Sequence, residues 1–356
     1  MLYVNARFLT QNITGVQRFA ANIALELKKT NKDIVFLTPK NIIQTEMAGK
    51  LNAQVVGINT GHAWEQLDLP LYLYKKRKPL LLNLCNTAPI LYKNKVVTLH
   101  DIIFIKYPQS FSKKFILWYN FFIPAVLSSA KHIITVSDFS KNDIISHFKL
   151  SENDISVVYN AVDQVFLDVQ DEVDELQNKD YFLAVSSPNY HKNFQRLIEA
   201  FVLFNTNHNN RFKLKIIGSL SNAFKYDNGN LSCKDKQIEF LGRVTDLELK
   251  ELYRSAKAFV FPSLYEGFGI PPLEAQACGC IVLSSNAASL PEVLEHSAIF
   301  FDPLRIEDMQ SAMDKLVSLT TNEKKILHSK ALCNLDRFSW GKSADRIVRL
   351  LKNIDD

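Results

Sequence analysis

Short apolar runs recur along the chain at intervals too wide for hairpins. Leu2 to Ala6, Ile34–Leu37, Val55–Ile58, Leu80–Leu84, Val96–Leu99, His132 to Val136 and Ile155 to Tyr159 each read as a buried strand. Between them lie stretches with helical spacing. Gly15 to Lys29 places Val16, Phe19, Ile23 and Leu27 on one face, and a helix opens at Ser137-Asp138-Phe139-Ser140, where Ser137 or Asp138 serves as its cap. The alternation resumes at Tyr181 to Val185, Leu214 to Gly218, Ile238–Val244, Ala258 to Phe261 and Ile281 to Leu283. Phe194 to Phe204 and Thr245 to Ala256 are the intervening helices. Strands that alternate with helices call for crossover connections, hence largely parallel, doubly wound sheets.

Residues 259 to 292 carry the densest pattern. After the strand, Pro262 and Ser263 stop the run, and Glu266 falls in a loop with Gly267 and Gly269. Glycine there lets backbone approach a ligand closely. Pro271 and Pro272 suit the first turn of a helix, Glu274 is placed in that same turn, and Gly279 ends it. Glu266 and Glu274 stand eight residues apart. On one helix that would be about 12 Å along the axis, too far for a shared acid pair. With one in the loop and one on the helix, both can meet a ligand at the helix N-terminus. There, unpaired amides suit phosphate and carboxylates suit sugar hydroxyls. A helix cap plus a solvated loop glutamate is the plainer alternative.

The stretch Glu-Gly-Phe-Gly-Ile-Pro-Pro-Leu-Glu-Ala-Gln-Ala-Cys-Gly, followed by Ser-Leu-Pro-Glu-Val, strongly resembles the signature of the family 4 retaining glycosyltransferases. The resemblance implies that Glu266, with Gly267 and the amides of Phe268 and Gly269, meets the transferred sugar, and that Glu274 binds the ribose hydroxyls. It extends over most of the chain. Gly15, which opens a helix with Arg18, would let that helix approach the donor diphosphate. His100-Asp101 directly follows a strand, the edge where ligands collect in open α/β sheets. His100 would orient a sugar or acceptor hydroxyl, with Asp101 as its polar partner. Lys192 in His-Lys-Asn matches the diphosphate-binding lysine; the family's usual arginines are replaced by His191 and Ser187. Charge on the leaving group would then rest on Lys192 and helix ends. Arg243 and Val244, after a Leu-Gly step, stand where the family's backbone reads the base.

The 356 residues, 47% apolar and 22% charged, suit two globular cores. A net charge of +5 is too small to argue for nucleic acid and fits an anionic ligand or membrane surface. Five cysteines without a CxxC pair fit a reducing cytoplasm, with Cys278 and Cys280 as small buried side chains. No signal peptide or membrane span is expected. Phe104 to Lys131 mixes aromatic and basic residues, and Lys75-Lys76-Arg77-Lys78 lies near Tyr72 and Tyr74. In the first, Pro124 and apolar residues nearly all round favour a helix packed on its own sheet over one lying on a membrane surface. The second reads equally as a contact with anionic lipid on the inner membrane face or as a solvated charge run. Gln170 to Glu175 is an acidic connector.

The implied fold is GT-B: two facing Rossmann-like domains, 1–163 on the acceptor side and 164–335 for the nucleotide sugar, with the active site in the cleft between them. The last segment, 336–356, would be a helix crossing back to the first domain. The implied reaction moves a hexosyl group from a nucleotide sugar to a lipid-linked oligosaccharide in surface polysaccharide assembly, with retention. GDP-mannose is preferred over UDP- or dTDP-sugars as donor. No cofactor is expected. The absence of Asp-x-Asp disfavours metal-dependent transfer, and the absence of Gly-x-Gly-x-x-Gly or Walker patterns disfavours dehydrogenases and P-loop enzymes. A nucleotide-sugar epimerase and a catalytically silent donor-binding subunit are the alternatives.

Overall fold

The computed structural model describes residues 1–30, 33–167, 180–185, 189–218 and 236–355. The acidic connector at 170–175, Ser187 and Cys233 lie outside them. The chain divides into two units: Met1–Pro108, Ser112–Ala161 and Phe338–Asp356 make one, Gln109–Phe111 and Val162–Arg337 the other.

Among its described residues the first unit is built on seven parallel strands: β1 (Leu2–Asn5), β2 (Ile34–Thr38), β3 (Gln54–Val55), β4 (Leu81–Asn83), β5 (Lys95–Thr98), β6 (His132–Thr135) and β7 (Ile155–Val157). They lie in the order β3-β2-β1-β4-β5-β6-β7. The order reverses at β1, so the carboxyl ends of β1 and β4 form its switch point, where open α/β sheets leave a crevice. The strand expected over Val55–Ile58 stops at Val55. Gly57 takes a positive φ of 74° and turns the chain, and Asp68 accepts the amides of Ile58 (2.8 Å) and Asn59 (2.7 Å) in place of a sheet neighbour.

Helix Gly15–Thr30 buries Phe19, Ile23 and Leu27 as its spacing requires. The C-terminal helix Trp340–Asp355 belongs to the same unit: Trp340 packs edge-on to Phe19 at 6.0 Å, and Ser343 Oγ donates to the Tyr159 carbonyl at 2.7 Å. Ser137 caps helix Asp138–Phe148 by accepting from the Ser140 amide. Ser112 does the same for helix Lys113–Ser128, which carries Pro124 inside it.

Among its described residues the second unit holds six parallel strands: β8 (Tyr181–Val185), β9 (Lys213–Ile217), β10 (Ile238–Gly242), β11 (Ala258–Phe261), β12 (Val282–Ser285) and β13 (Ile299–Phe301). Their order is β10-β9-β8-β11-β12-β13, with the switch point at the ends of β8 and β11. Phe182, Phe201, Phe204 and Phe212 fill its core with edge-on and stacked rings. β10 stops at Gly242, which takes φ 72°, so Arg243 and Val244 fall in the loop beyond it rather than in the strand. Thr245 caps helix Asp246–Ser255, in a reciprocal box with Glu248.

Candidate active site

The switch point of the second unit brings two expected residues into contact. Lys192 ends a single 3-10 turn after β8; Glu266 lies in the loop after β11. Lys192 Nζ donates to Glu266 Oε1 at 2.6 Å, with the side chains 19% and 15% exposed. The backbone around them explains the contact. Asn193 adopts left-handed φ, and its side-chain amide donates to the carbonyls of Pro262 (3.1 Å) and Pro303 (2.7 Å), while Leu264 N donates to the His191 carbonyl at 2.7 Å. The two loops are thereby fastened together behind the pair.

Gly269 is the N-cap of helix Ile270–Ala277, at φ 93°. A Cβ there would stand 2.6 Å from Leu290 Cδ2, so both backbone and packing demand glycine. Because the helix starts at Ile270, Glu274 is its fifth residue and lies in the second turn, not the first, and it is buried at 5% exposure. The N-cap position is held by Gly269, which has no side chain to cap with. Ser289, fully buried, reaches back to the glycine loop, its Oγ 2.9 Å from the Glu266 carbonyl and 3.0 Å from that of Phe268. Its part in holding the loop was not visible in sequence, although it sits in the Ser-Leu-Pro-Glu motif.

His191 is buried, and burial first, then Lys192, hold its pKa down at about 4. It is a neutral ring bonded to Ser110 Oγ at 2.9 Å, so it adds no charge beside Lys192. Cys278 and Cys280 are buried, and burial raises the Cys278 thiol to about 12. Arg243 and Val244 stand beyond edge strand β10, two strands from β8.

In the first unit, His100 follows β5 and is 5% exposed, edge-on to Phe19 at 5.0 Å, so the helix that begins at Gly15 and carries Arg18 packs directly against it. Burial lowers its pKa to about 4. Nε2 lies 3.2 Å from the Leu84 carbonyl, which can only accept; the ring proton therefore sits on Nε2, and Nδ1 is an acceptor. Asp101 Oδ1 accepts from the Ile103 amide at 3.0 Å. Gly15 is exposed, and a Cβ on it would meet open space. Among the described residues no three histidines, cysteines or carboxylates stand together as metal ligands.

Residues 13–165 match Glycosyltransferase Family 4, and residues 168–332 match Glycosyl transferases group 1. The chain belongs to these glycosyltransferases. The O-antigen chain mannosyltransferase RfbU of Salmonella typhimurium is 33% identical over 68% of this glycosyltransferase and 66% of its own length, just under two thirds. O-antigen chain mannosyltransferase B of Escherichia coli is 28% identical over 82% of the chain and 76% of its own. The crystal structure of HepE from Anabaena in complex with UDP and glucose superposes with a TM-score of 0.75 at 17% identity, covering 99% of each chain. That of WaaG, a glycosyltransferase involved in lipopolysaccharide biosynthesis, does so at 0.72 and 14%, covering 98% of this chain and 99% of that one. The fold of this glycosyltransferase is GT-B, with two parallel-sheet Rossmann-like domains.

Proposed function

We propose that this glycosyltransferase moves a hexosyl group, mannose before others, from a nucleoside diphosphate sugar to a hydroxyl of a lipid-linked oligosaccharide in surface polysaccharide assembly. The observation that carries the reading is the Lys192–Glu266 pair at the β8/β11 switch point, a cation for a diphosphate beside a carboxylate for sugar hydroxyls. The likeness to two O-antigen mannosyltransferases supports mannose, and GDP-mannose over UDP- and dTDP-sugars as donor.

In this reading Lys192, Arg18 and helix N-termini stabilise charge on the departing diphosphate. Glu266 and the Gly267–Gly269 backbone hold the sugar, Glu274 the ribose, and Arg243 and Val244 the base. His100 Nδ1 accepts from a hydroxyl of the sugar or acceptor, with Asp101 alongside. Gly15, unconstrained by packing within the protein, leaves room for the diphosphate. The acceptor oxygen bonds to the anomeric carbon on the face the diphosphate leaves; the carbon–oxygen bond to phosphate breaks, and the hydroxyl proton passes to a phosphate oxygen. Configuration is retained, and no metal is needed.

Among the described residues no helix is long and apolar enough to cross a membrane. A peripheral contact on the inner face is supported by helix Lys113–Ser128, where Leu117 and Phe121 are 76% and 78% exposed beside the Lys113-Lys114 start. Incubation with GDP-mannose, UDP-glucose or dTDP-glucose in excess chelator, the product's anomeric coupling read by NMR, tests the whole reading. An inverted product, or activity that only manganese restores, would overturn the mechanism.

A further inference from the structure

Ser289 occupies the N-cap of the short helix Leu290–Leu294, yet its side chain makes no cap bond. A serine there ordinarily accepts from an amide two or three residues on. Here the hydroxyl is turned the other way. It is fully buried, and carbonyl oxygens only accept, so Oγ shares its one proton between the Glu266 carbonyl at 2.9 Å and the Phe268 carbonyl at 3.0 Å. The backbone that aims it is strained: Ala288, without glycine's freedom, takes a left-handed φ of 55°, and Leu290 N donates back to the Ala287 carbonyl at 3.2 Å. At the start of the same loop, Ser285 Oγ donates to the Ser263 carbonyl at 2.6 Å. Leu290, also buried, fills the space that a Cβ on Gly269 would need. The segment after β12 is thus fastened along the glycine loop at Ser263, Glu266 and Phe268.

These bonds settle a direction. In a planar trans peptide, the carbonyl of one residue and the N–H of the next point opposite ways. Holding the Glu266 and Phe268 carbonyls toward Ser289 therefore turns the Gly267 and Gly269 amides away from that one anchor. Glycine imposes no such preference by itself, because without Cβ its peptide planes can turn either way. Ser289 supplies from outside the loop what the loop's own residues cannot. Donors aimed in advance need no reorganisation when a ligand arrives.

We propose that Ser289 is a positioning residue for glycosyl transfer, its hydroxyl presetting the Gly267 and Gly269 amides to donate to oxygens of the transferred sugar. The identity of that ligand rests on the transferase reading. Because the sugar and not the nucleotide meets these amides, losing the hydroxyl weakens a nucleotide sugar and spares the bare nucleotide. A residue that merely held the second unit together would affect both alike.

Glu-Gly and Phe-Gly each occur once in the sequence, so labelling glycine nitrogen together with the preceding carbonyl carbon isolates the Gly267 and Gly269 amides by NMR. Ser289→Thr and Ser289→Val add the same volume and differ in the hydroxyl. The threonine variant keeps both amide signals near their wild-type positions. The valine variant moves both, binds GDP as the wild type does, and lowers kcat and nucleotide-sugar affinity about tenfold. Ser289→Ala, which adds no volume, behaves as valine does. The sugar donor is whichever of GDP-mannose, UDP-glucose and dTDP-glucose the wild type turns over. Valine indistinguishable from threonine, or GDP weakened as much as the nucleotide sugar, overturns the role of Ser289 while the transferase reading stands. A threonine–valine difference in the amide signals, with no nucleotide sugar turned over by the wild type, supports the loop's orientation by Ser289 and overturns the transferase reading instead.

Discussion

Lys192 and Glu266, 74 residues apart, hold each other at 2.6 Å where β8 and β11 diverge. A diphosphate that takes the lysine must first draw it from the glutamate, and a sugar that takes the glutamate must draw it from the lysine. Binding a whole donor replaces one charge-assisted contact with two. Binding a nucleoside diphosphate alone leaves Glu266 without its cation.

Removing that competition has opposite effects on two measurements. Glu266→Gln is expected to tighten GDP binding several-fold by calorimetry, since a pair this shielded is worth about 1 kcal/mol or more, and to depress transfer. Lys192→Ala is expected to lower kcat about 100-fold, more than it weakens the donor, because charge on the diphosphate peaks as it leaves. Weaker GDP binding in Glu266→Gln would mean that the two side chains do not compete.

Glu274 lies buried one turn deeper in its helix than its spacing suggested. Charge-assisted hydrogen bonds to ribose contribute about 1.5–3 kcal/mol each, so Glu274→Ala should weaken GDP roughly 10- to 100-fold. An affinity equal to wild type would leave the residue a purely structural role.

Acid should unfold the protein through two histidines. His100 and His191 are held near 4 in the fold against 6.5 for a free imidazole. Between those values the unfolded chain takes protons that the fold refuses, so stability falls as pH drops from 6.5 to 4 and is unaffected by these groups above 6.5. Each contributes up to on the order of 3 kcal/mol. Urea unfolding across this window measures the slope, and His100→Phe should flatten part of it. An unchanged slope would place the acid sensitivity in the carboxylates.

The exposed face of helix Lys113–Ser128 predicts binding to vesicles rich in phosphatidylglycerol. Burying two large apolar side chains is worth about 1.5–3 kcal/mol each, so a Leu117→Ser, Phe121→Ser double variant should reduce sedimentation with vesicles at least tenfold. Transfer to a soluble hexoside should be untouched. Wild-type protein that stays in the supernatant at low salt would remove the membrane contact.

Much of this architecture was legible because buried parallel strands must be apolar throughout, and their short runs announced both sheets. The glycine loop was legible because Gly269 answers to a backbone constraint that acts locally. What could not be read depends on distance. Nothing around Ser289 indicates that its hydroxyl turns back to carbonyls over twenty residues earlier, and nothing around Arg7 points to Glu65, 58 positions on. The placement of Glu274 in a first turn failed because prolines are tolerated throughout that turn and do not mark which residue begins it. Here, a left-handed glycine does.

The helical stretch from Gly61 to Lys75 widens into a π turn at Trp64–Asp68, with one consequence for how this region can vary. Such a turn accommodates one residue more than an α-helix of the same rise. Deleting a single residue there would let the helix heal into regular geometry, and its stability could even improve. The residues upstream would then keep roughly their present orientation to the downstream half, because the residue removed is the one the wide turn holds in excess. His62, three positions before Glu65, would stay on the face it shares with Trp118, whereas a deletion in a regular stretch of the same helix would rotate it by about 100°. The wide turn is thus a place where the sequence can shorten without losing this face.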